Sequence, residues 1–257
     1  MTISVADIDA IQRTPNCPYR RALARWEAAE RGTYADFLSV LYPDLDSCIN
    51  GLRTIVHQVQ NDGEDRLTSD LVLQLRCLNY DATHDEQAGG HIDIGIKSGP
   101  HTWLGEAKLD AKIDQGLKQL ITRYTQISGD PNHDHGGLLF YLIKSDDAKG
   151  KLEAWRQELE AMPVPCTDCT LSKLAFFSEH KQPSTGLPFH VRTMAVALHW
   201  DPQDPSGIET KARRAAKAAN KAAPSKKAAA KKAPKSREAK PQAATAKRAP
   251  ARKRASS

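Results

Sequence analysis

The residue types best suited to chemistry lie in two short runs, His91-Ile92-Asp93-Ile94-Gly95-Ile96 and Trp103-Leu104-Gly105-Glu106-Ala107-Lys108. Both read as strands, and Ser98-Gly99-Pro100-His101 between them reads as a tight turn centred on Gly99-Pro100. Side chains alternate along a strand. Ile92, Ile94 and Ile96 are therefore expected on one face with Asp93 on the other, while Glu106 and Lys108 share a face. A hairpin folded symmetrically about the turn sets Asp93 opposite Glu106. Opposed side chains have Cβ atoms about 4.5–5.5 Å apart, where like charges repel. Two facing carboxylates beside a lysine point to a site for a hard divalent cation.

Other elements must hold this hairpin in place. Upstream, a helix is expected from about Asp62, as its cap, to Leu78, with Leu67, Leu71, Leu75 and Leu78 as its buried stripe. A helical wheel puts Glu64 in the same stripe, one turn before Leu67; Asp65 or Asp70 takes that place if the helix is rotated. An acid aimed at a core needs a partner there, because a lone buried charge is costly. A short strand is expected near residues 82–85. Downstream, Ile113 to Ile127 reads as a helix burying Ile113, Leu117, Leu120, Ile121, Tyr124 and Ile127. Lys112, Gln115, Gln119, Arg123 and Gln126 fall on its opposite face, with no acid among them.

Gly137 to Lys144 is a short continuous apolar run, the pattern of a central strand buried on both faces. A helix at 147–161 and strands at 173–177 and 190–200 complete the body. Further helices are expected at Arg20–Arg31 and Leu45–Gln60. The fold class is therefore α/β with a mixed central sheet, and residues 1–60 form a helical extension packed on the core.

Charge divides the chain sharply. The whole carries +6, but 17 of the 37 Lys and Arg lie from Lys211 onward, against one acid, Glu238. That segment carries +16, and the rest, with 20 basic and 30 acidic residues, carries −10. From about residue 206 the composition is Ala, Lys, Pro and Arg in short repeats, with too little apolar surface to build a core, so 206–257 is expected to be a disordered cationic arm. Lys226, Lys227, Lys231 and Lys232 are its densest lysine pairs. Such an arm suits nucleic-acid phosphates, which it binds by counterion release without reading sequence. No apolar run approaches the length needed to span a bilayer, so no membrane partner is expected. The N-terminus lacks the basic and apolar regions of a signal peptide. Five scattered cysteines, an odd number, suggest reduced thiols and a cytoplasmic setting. Cys166-Thr167-Asp168-Cys169 is a lone CxxC without a second pair, better read as two loop thiols than as a zinc site.

The order helix with Glu64, Asp93, Glu106-Ala107-Lys108, helix with Gln115 and Gln119, apolar strand resembles the PD-(D/E)XK nuclease superfamily, which includes many restriction endonucleases and RecB-like exonucleases. The resemblance covers roughly Asp62 to Lys144, within a domain taken as 61–205. It implies an αβββαβ restriction-endonuclease-like core. It also implies Mg²⁺, with Mn²⁺ as a substitute, held by Asp93, Glu106 and the Ala107 carbonyl. Lys108 then orients or deprotonates the attacking water, and Glu64 assists the metal. Gln119 and Tyr124 resemble the glutamine–tyrosine pair of some RecB-like members, with a spacing one residue longer. Ile92 stands where the name-giving proline would be. The Ala-Lys-Pro arm resembles that of linker histones.

These features together imply a deoxyribonuclease tethered to DNA and associated with the nucleoid, acting in restriction, phage defence or repair, with RNA as another substrate. Double-strand cleavage often needs two active sites, which makes a homodimer plausible. A non-catalytic DNA-binding or nucleoid-associated protein on a nuclease-like scaffold is the alternative. The D…ExK letters also arise as a surface salt bridge; the facing register and the stripe position of Glu64 are what favour a site.

Overall fold

The computed structural model describes residues 4–14, 17, 19–87, 91–124 and 129–222. Its helices are α1 (Val5–Arg13), α2 (Arg20–Arg31), α3 (Tyr34–Thr54), α4 (Val56–Val59), α5 (Glu64–Cys77), α6 (Ile113–Gln119), α7 (Ala148–Ala161) and α8 (Pro205–Ala222). The strands are β1 (Asp81–Thr83), β2 (Glu86–Gln87), β3 (His91–Ile92), β4 (Ile94–Ser98), β5 (His101–Leu109), β6 (His135–Leu142), β7 (Cys166–Asp168), β8 (Ala175–Lys181) and β9 (Pro188–Ala197). Seven of them form one mixed sheet in the order β1-β4-β5-β6-β9-β8-β7, and β2 pairs with β3 in a separate two-stranded ladder. The molecule is α/β.

Strand β6 shows why this sheet is closed on both faces. Leu139 and Tyr141 enter one apolar core, and Leu138, Phe140 and Leu142 enter another. Alternation makes these opposite faces of the sheet. The first core is roofed by α3 (Phe37, Leu41, Leu45, Leu52) and α5 (Leu67, Leu71, Leu75), and the second by α6 (Ile113, Leu117) and α7 (Leu152, Trp155, Leu159). The central pairs β5–β6 and β6–β9 are parallel and the outer ones antiparallel.

Helix α3 begins earlier than the apolar spacing suggested. Thr33 and Asp36 form a reciprocal capping box at its start, with the Thr33 backbone N–H donating to Asp36 Oδ2 at 2.8 Å. The helix runs through Pro43, and Ile55 separates it from α4. Proline costs a helix one hydrogen bond, and here Phe37, Leu41 and Leu45, all at 0% exposure, outweigh it. Its buried Asp44 takes Arg25 Nη1 and the Tyr80 hydroxyl, both at 3.0 Å, which ties α2 and the start of β1 to α3.

The first 204 residues form one compact unit and Pro205 onward another. The second unit departs from the expectation of disorder from residue 206: α8 is a regular helix through Ala222. Alanine, lysine and arginine are strong helix formers and need no core to be helical. Glu209 adds an i,i+4 pair with Arg213 at 2.6 Å. Lys226, Lys227, Lys231 and Lys232 lie outside the described residues. Among the described residues all five cysteines are free thiols, and no helix is long and apolar enough to cross a membrane.

Candidate active site

The hairpin forms about its expected centre. Ser98 pairs with His101 and Ile96 with Trp103, so Gly99 and Pro100 are the two turn residues. Gly99 has φ +57°, and a Cβ there would meet the Ala29 carbonyl oxygen, so only glycine fits without strain.

Two expectations for the first strand are corrected. The ladder ends at Ile94 opposite Gly105. Asp93 is the next residue toward Glu106, but it forms a bend between β3 and β4 instead of a paired position. Ile92 is also not on the face of its neighbours. It enters the second core, while Ile94 and Ile96 enter the first. The bend frees the Asp93 carboxylate to reach across to β5, where Oδ2 accepts the Ala107 backbone N–H at 2.8 Å.

Glu106 and Lys108 share a face of β5, as alternation requires. Lys108 Nζ donates to Glu106 Oε1 at 2.6 Å and to the Ala107 carbonyl at 2.7 Å. It lies 3.4 Å from Glu64 Oε1 and 3.6 Å from Asp93 Oδ2. Glu64 sits at the first position of α5, and its Oε2 accepts the Leu109 backbone N–H at 2.8 Å. The cap of α5 is Gly63, without a side-chain hydrogen bond, and not Asp62. The rotated alternatives are used elsewhere or exposed: Asp70 pairs with Arg66 at 3.1 Å, and Asp65 faces solvent.

Three acids from three elements thus converge on one ammonium. Side-chain exposure is 2% for Glu106, 12% for Lys108, 23% for Asp93 and 30% for Glu64. Burial pulls the Lys108 pKa down, but Glu106 first, then Asp93 and Glu64, more than restore it and hold it above the ordinary lysine value. Lys108 is accordingly a protonated donor here. Counted formally, three carboxylates and one ammonium amount to −2, and every acceptor is a hard oxygen, a chemistry that fits Mg²⁺. Among the described residues no group of three or more His, Cys, Asp or Glu is arranged to hold a metal; the carboxylates close on Lys108 instead.

Helix α6 brings the next layer. The Gln119 amide, oriented by its partners, donates to Glu106 Oε1 at 2.8 Å and accepts from Arg123 Nη1 at 3.2 Å. Gln119 therefore faces the acid, and not solvent with Lys112, Gln115 and Arg123, which are exposed. A π-helical turn, Leu120–Tyr124, follows α6. Its hydrogen bonds span five residues where an α-helix spans four. Gln126 and Ile127 lie outside the described residues.

Two positioning residues escaped the sequence reading. Asp110 adopts φ +53°, and its Oδ1 accepts the Ile143 and Lys144 backbone N–H groups at 2.8 and 2.9 Å, fastening the end of β5 to the end of β6. Asp tolerates the left-handed region better than most residues; with Lys112 (φ +62°) it reverses the chain into α6. Gly116 lets α6 lie against the site, since a Cβ there would stand 2.9 Å from Lys108 Cγ and 2.9 Å from Leu138 Cδ1. A glycine in mid-helix was the available signal.

Compared with protein-family models, with curated protein sequences and with solved structures, the chain gives no match. The functional reading rests on the residues and their geometry.

Proposed function

We propose that this chain is a Mg²⁺-dependent deoxyribonuclease of PD-(D/E)XK character. One observation carries the reading: Glu64, Asp93 and Glu106, from a helix, a bend and a strand, converge on Lys108 with a net charge of −2. The order α5, β1, β4, β5, α6, β6 supports a restriction-endonuclease-like αβββαβ core.

Asp93, Glu106 and the Ala107 carbonyl would hold the cation, with Glu64 beside them. The ion supplies Lewis acidity, neutralising phosphate charge and lowering the pKa of a bound water. Lys108 orients the attacking water and stabilises developing negative charge as a compact cation. Gln119 fixes the Glu106 carboxylate. Lys112, Gln115 and Arg123 offer donors to flanking phosphates, which position a nucleic acid without specifying its sequence. The lysine-rich arm beyond Ala222 concentrates DNA around a body that carries negative charge. RNA fits the same phosphodiester chemistry. Action near the nucleoid and cleavage of both strands by a homodimer are further parts of this proposal.

The test is incubation of purified protein with linear, circular, single-stranded and branched DNA, and with RNA, in Mg²⁺, Mn²⁺ or EDTA. Nicking or degradation that needs the cation and is lost in Asp93→Ala and Lys108→Ala is expected. Equal activity in both variants and the wild type would sink the assignment. A second reading is favoured by the closure of the acids on Lys108, which also makes a satisfied ion cluster: a non-catalytic DNA-binding protein on the same scaffold. DNA binding that depends wholly on the arm and ignores Mg²⁺ would favour it.

A further inference from the structure

The Lys108 ammonium lies 2.6 Å from Glu106 Oε1, 2.7 Å from the Ala107 carbonyl oxygen, 3.4 Å from Glu64 Oε1 and 3.6 Å from Asp93 Oδ2. These oxygens belong to the same four residues that the proposed function assigns to a divalent cation or its water. We infer that Lys108 is the resident counterion of this site, holding the cation's position in the free protein and vacating it before Mg²⁺ or Mn²⁺ seats. The inference rests on the metal-dependent reading above and adds a regulation to it.

Packing forces the arrangement. Glu106 is almost completely enclosed, and an enclosed carboxylate needs a positive partner. The ammonium is compact, carries three donors and rides on a flexible stem, so it satisfies several acids at once and can also move away. With Lys108 in place the site stays assembled without metal. A divalent ion among the same oxygens would sit against the ammonium, and the two cations repel at such a distance in a partly buried site.

Displaced, the ammonium needs a new anion, and a phosphodiester oxygen of bound nucleic acid is the anion that suits it. Cation and nucleic acid should therefore strengthen each other's binding, by equal factors in the two directions. Lys108 is the element that couples them. In the absence of nucleic acid it acts as a competitor for the metal position.

The experiment is Mn²⁺ binding to the full chain, followed by electron paramagnetic resonance of the free ion, with Mg²⁺ calorimetry as a second readout. Wild type, Lys108→Met and Lys108→Gln are compared, each alone and with a phosphorothioate duplex. Removing the ammonium should tighten Mn²⁺ binding without nucleic acid by about tenfold or more, the scale of one close charge pair at a partly screened site. The strengthening by the duplex should shrink in both variants. Thermal midpoints by circular dichroism, with and without Mn²⁺, establish that the variants fold; Lys108→Gln keeps a donor should Lys108→Met be unstable.

Folded variants that bind Mn²⁺ no more tightly than wild type would overturn the inference and leave the nuclease proposal standing. Tight binding that survives Asp93→Asn in the Lys108→Met background would also overturn it, because the ion would then lie elsewhere. Absence of Mn²⁺ binding by every folded form, duplex present or not, would remove the metal reading itself.

Discussion

Glu64 and Leu109 are 45 residues apart in the chain, yet the Glu64 carboxylate accepts the Leu109 backbone N–H at 2.8 Å. This bond fastens the start of α5 to the last residue of β5, one step beyond Lys108. The same carboxylate spreads its charge between that amide and the ammonium, so one side chain both braces and polarises the site.

Glu64→Ala removes both interactions. Glu64 is about a third exposed, so the loss is set at the low end for hydrogen bonds to charged groups, about 1–2 kcal/mol. Unfolding followed by circular dichroism should show a midpoint lowered by roughly 3–6 °C. Glu64→Gln keeps an acceptor for the Leu109 N–H. It should recover most of the midpoint without recovering cleavage, and recovery of both would mean that Glu64 only braces the strand.

Gly116→Ala places a methyl 2.9 Å from both Lys108 Cγ and Leu138 Cδ1. Overpacking of this kind typically costs about 1–3 kcal/mol. Helix α6 should shift outward and lift Gln119 off Glu106. Cleavage is expected to fall further than Gln119→Ala alone would lower it. Activity equal to wild type, with an unchanged midpoint, would show that α6 has slack over the site.

Acid should destabilise the body through its buried histidines. Burial, helped by nearby His190, depresses the pKa of His180 from 6.5 to about 4, and burial also lowers those of His133 and His135. A depressed folded pKa means that the unfolded chain takes up the proton first. The His180 contribution is thus fully present above pH 6.5 and lost as pH falls toward 4. Its size is on the order of 3 kcal/mol at one residue. Urea midpoints measured from pH 7 down to pH 4.5 should fall steeply, and His180→Gln should flatten that fall. An equally steep slope in the variant would move the effect to the other histidines.

Truncation after Ala222 removes most of the positive charge of the arm. DNA affinity of the shortened chain should drop and its dependence on salt become shallower, because fewer counterions are released. Fluorescence anisotropy with a labelled duplex between 50 and 200 mM salt, a window across which roughly six or more phosphate contacts become visible, reads both. An unchanged slope would place the nucleic-acid contacts on the body or on α8.

The parts of this fold that were legible in the sequence are those governed by local pattern. The leucines of α5 at helical spacing, the apolar run that became β6 and the Gly99-Pro100 turn each state their structure within about ten residues. The pairing of Glu106 with Lys108 followed from alternation alone. What escaped depends on contacts distant in sequence. The bend at Asp93 goes with a bond from the Ala107 N–H to its carboxylate, a contact between segments that a period-two reading has no way to anticipate. The helix expected from Leu45 starts instead at Tyr34 and runs through Pro43, because the burial of Phe37, Leu41 and Leu45 that sustains it is tertiary. The inward turn of Gln119 and the left-handed Asp110 likewise answer to neighbours on other elements. In α8 the error ran the other way, with weight given to a missing core where alanine's own preference decided.

The sheet separates two apolar interiors, and β5 borders both. Glu64 is rooted through α5 in one of them and Gln119 through α6 in the other. The cluster with its Gln119 brace therefore draws on both interiors at once. A chain still emerging or partly unfolded has the letters of the centre without the centre. On the proposed nuclease reading, assembly order itself then limits when the centre exists.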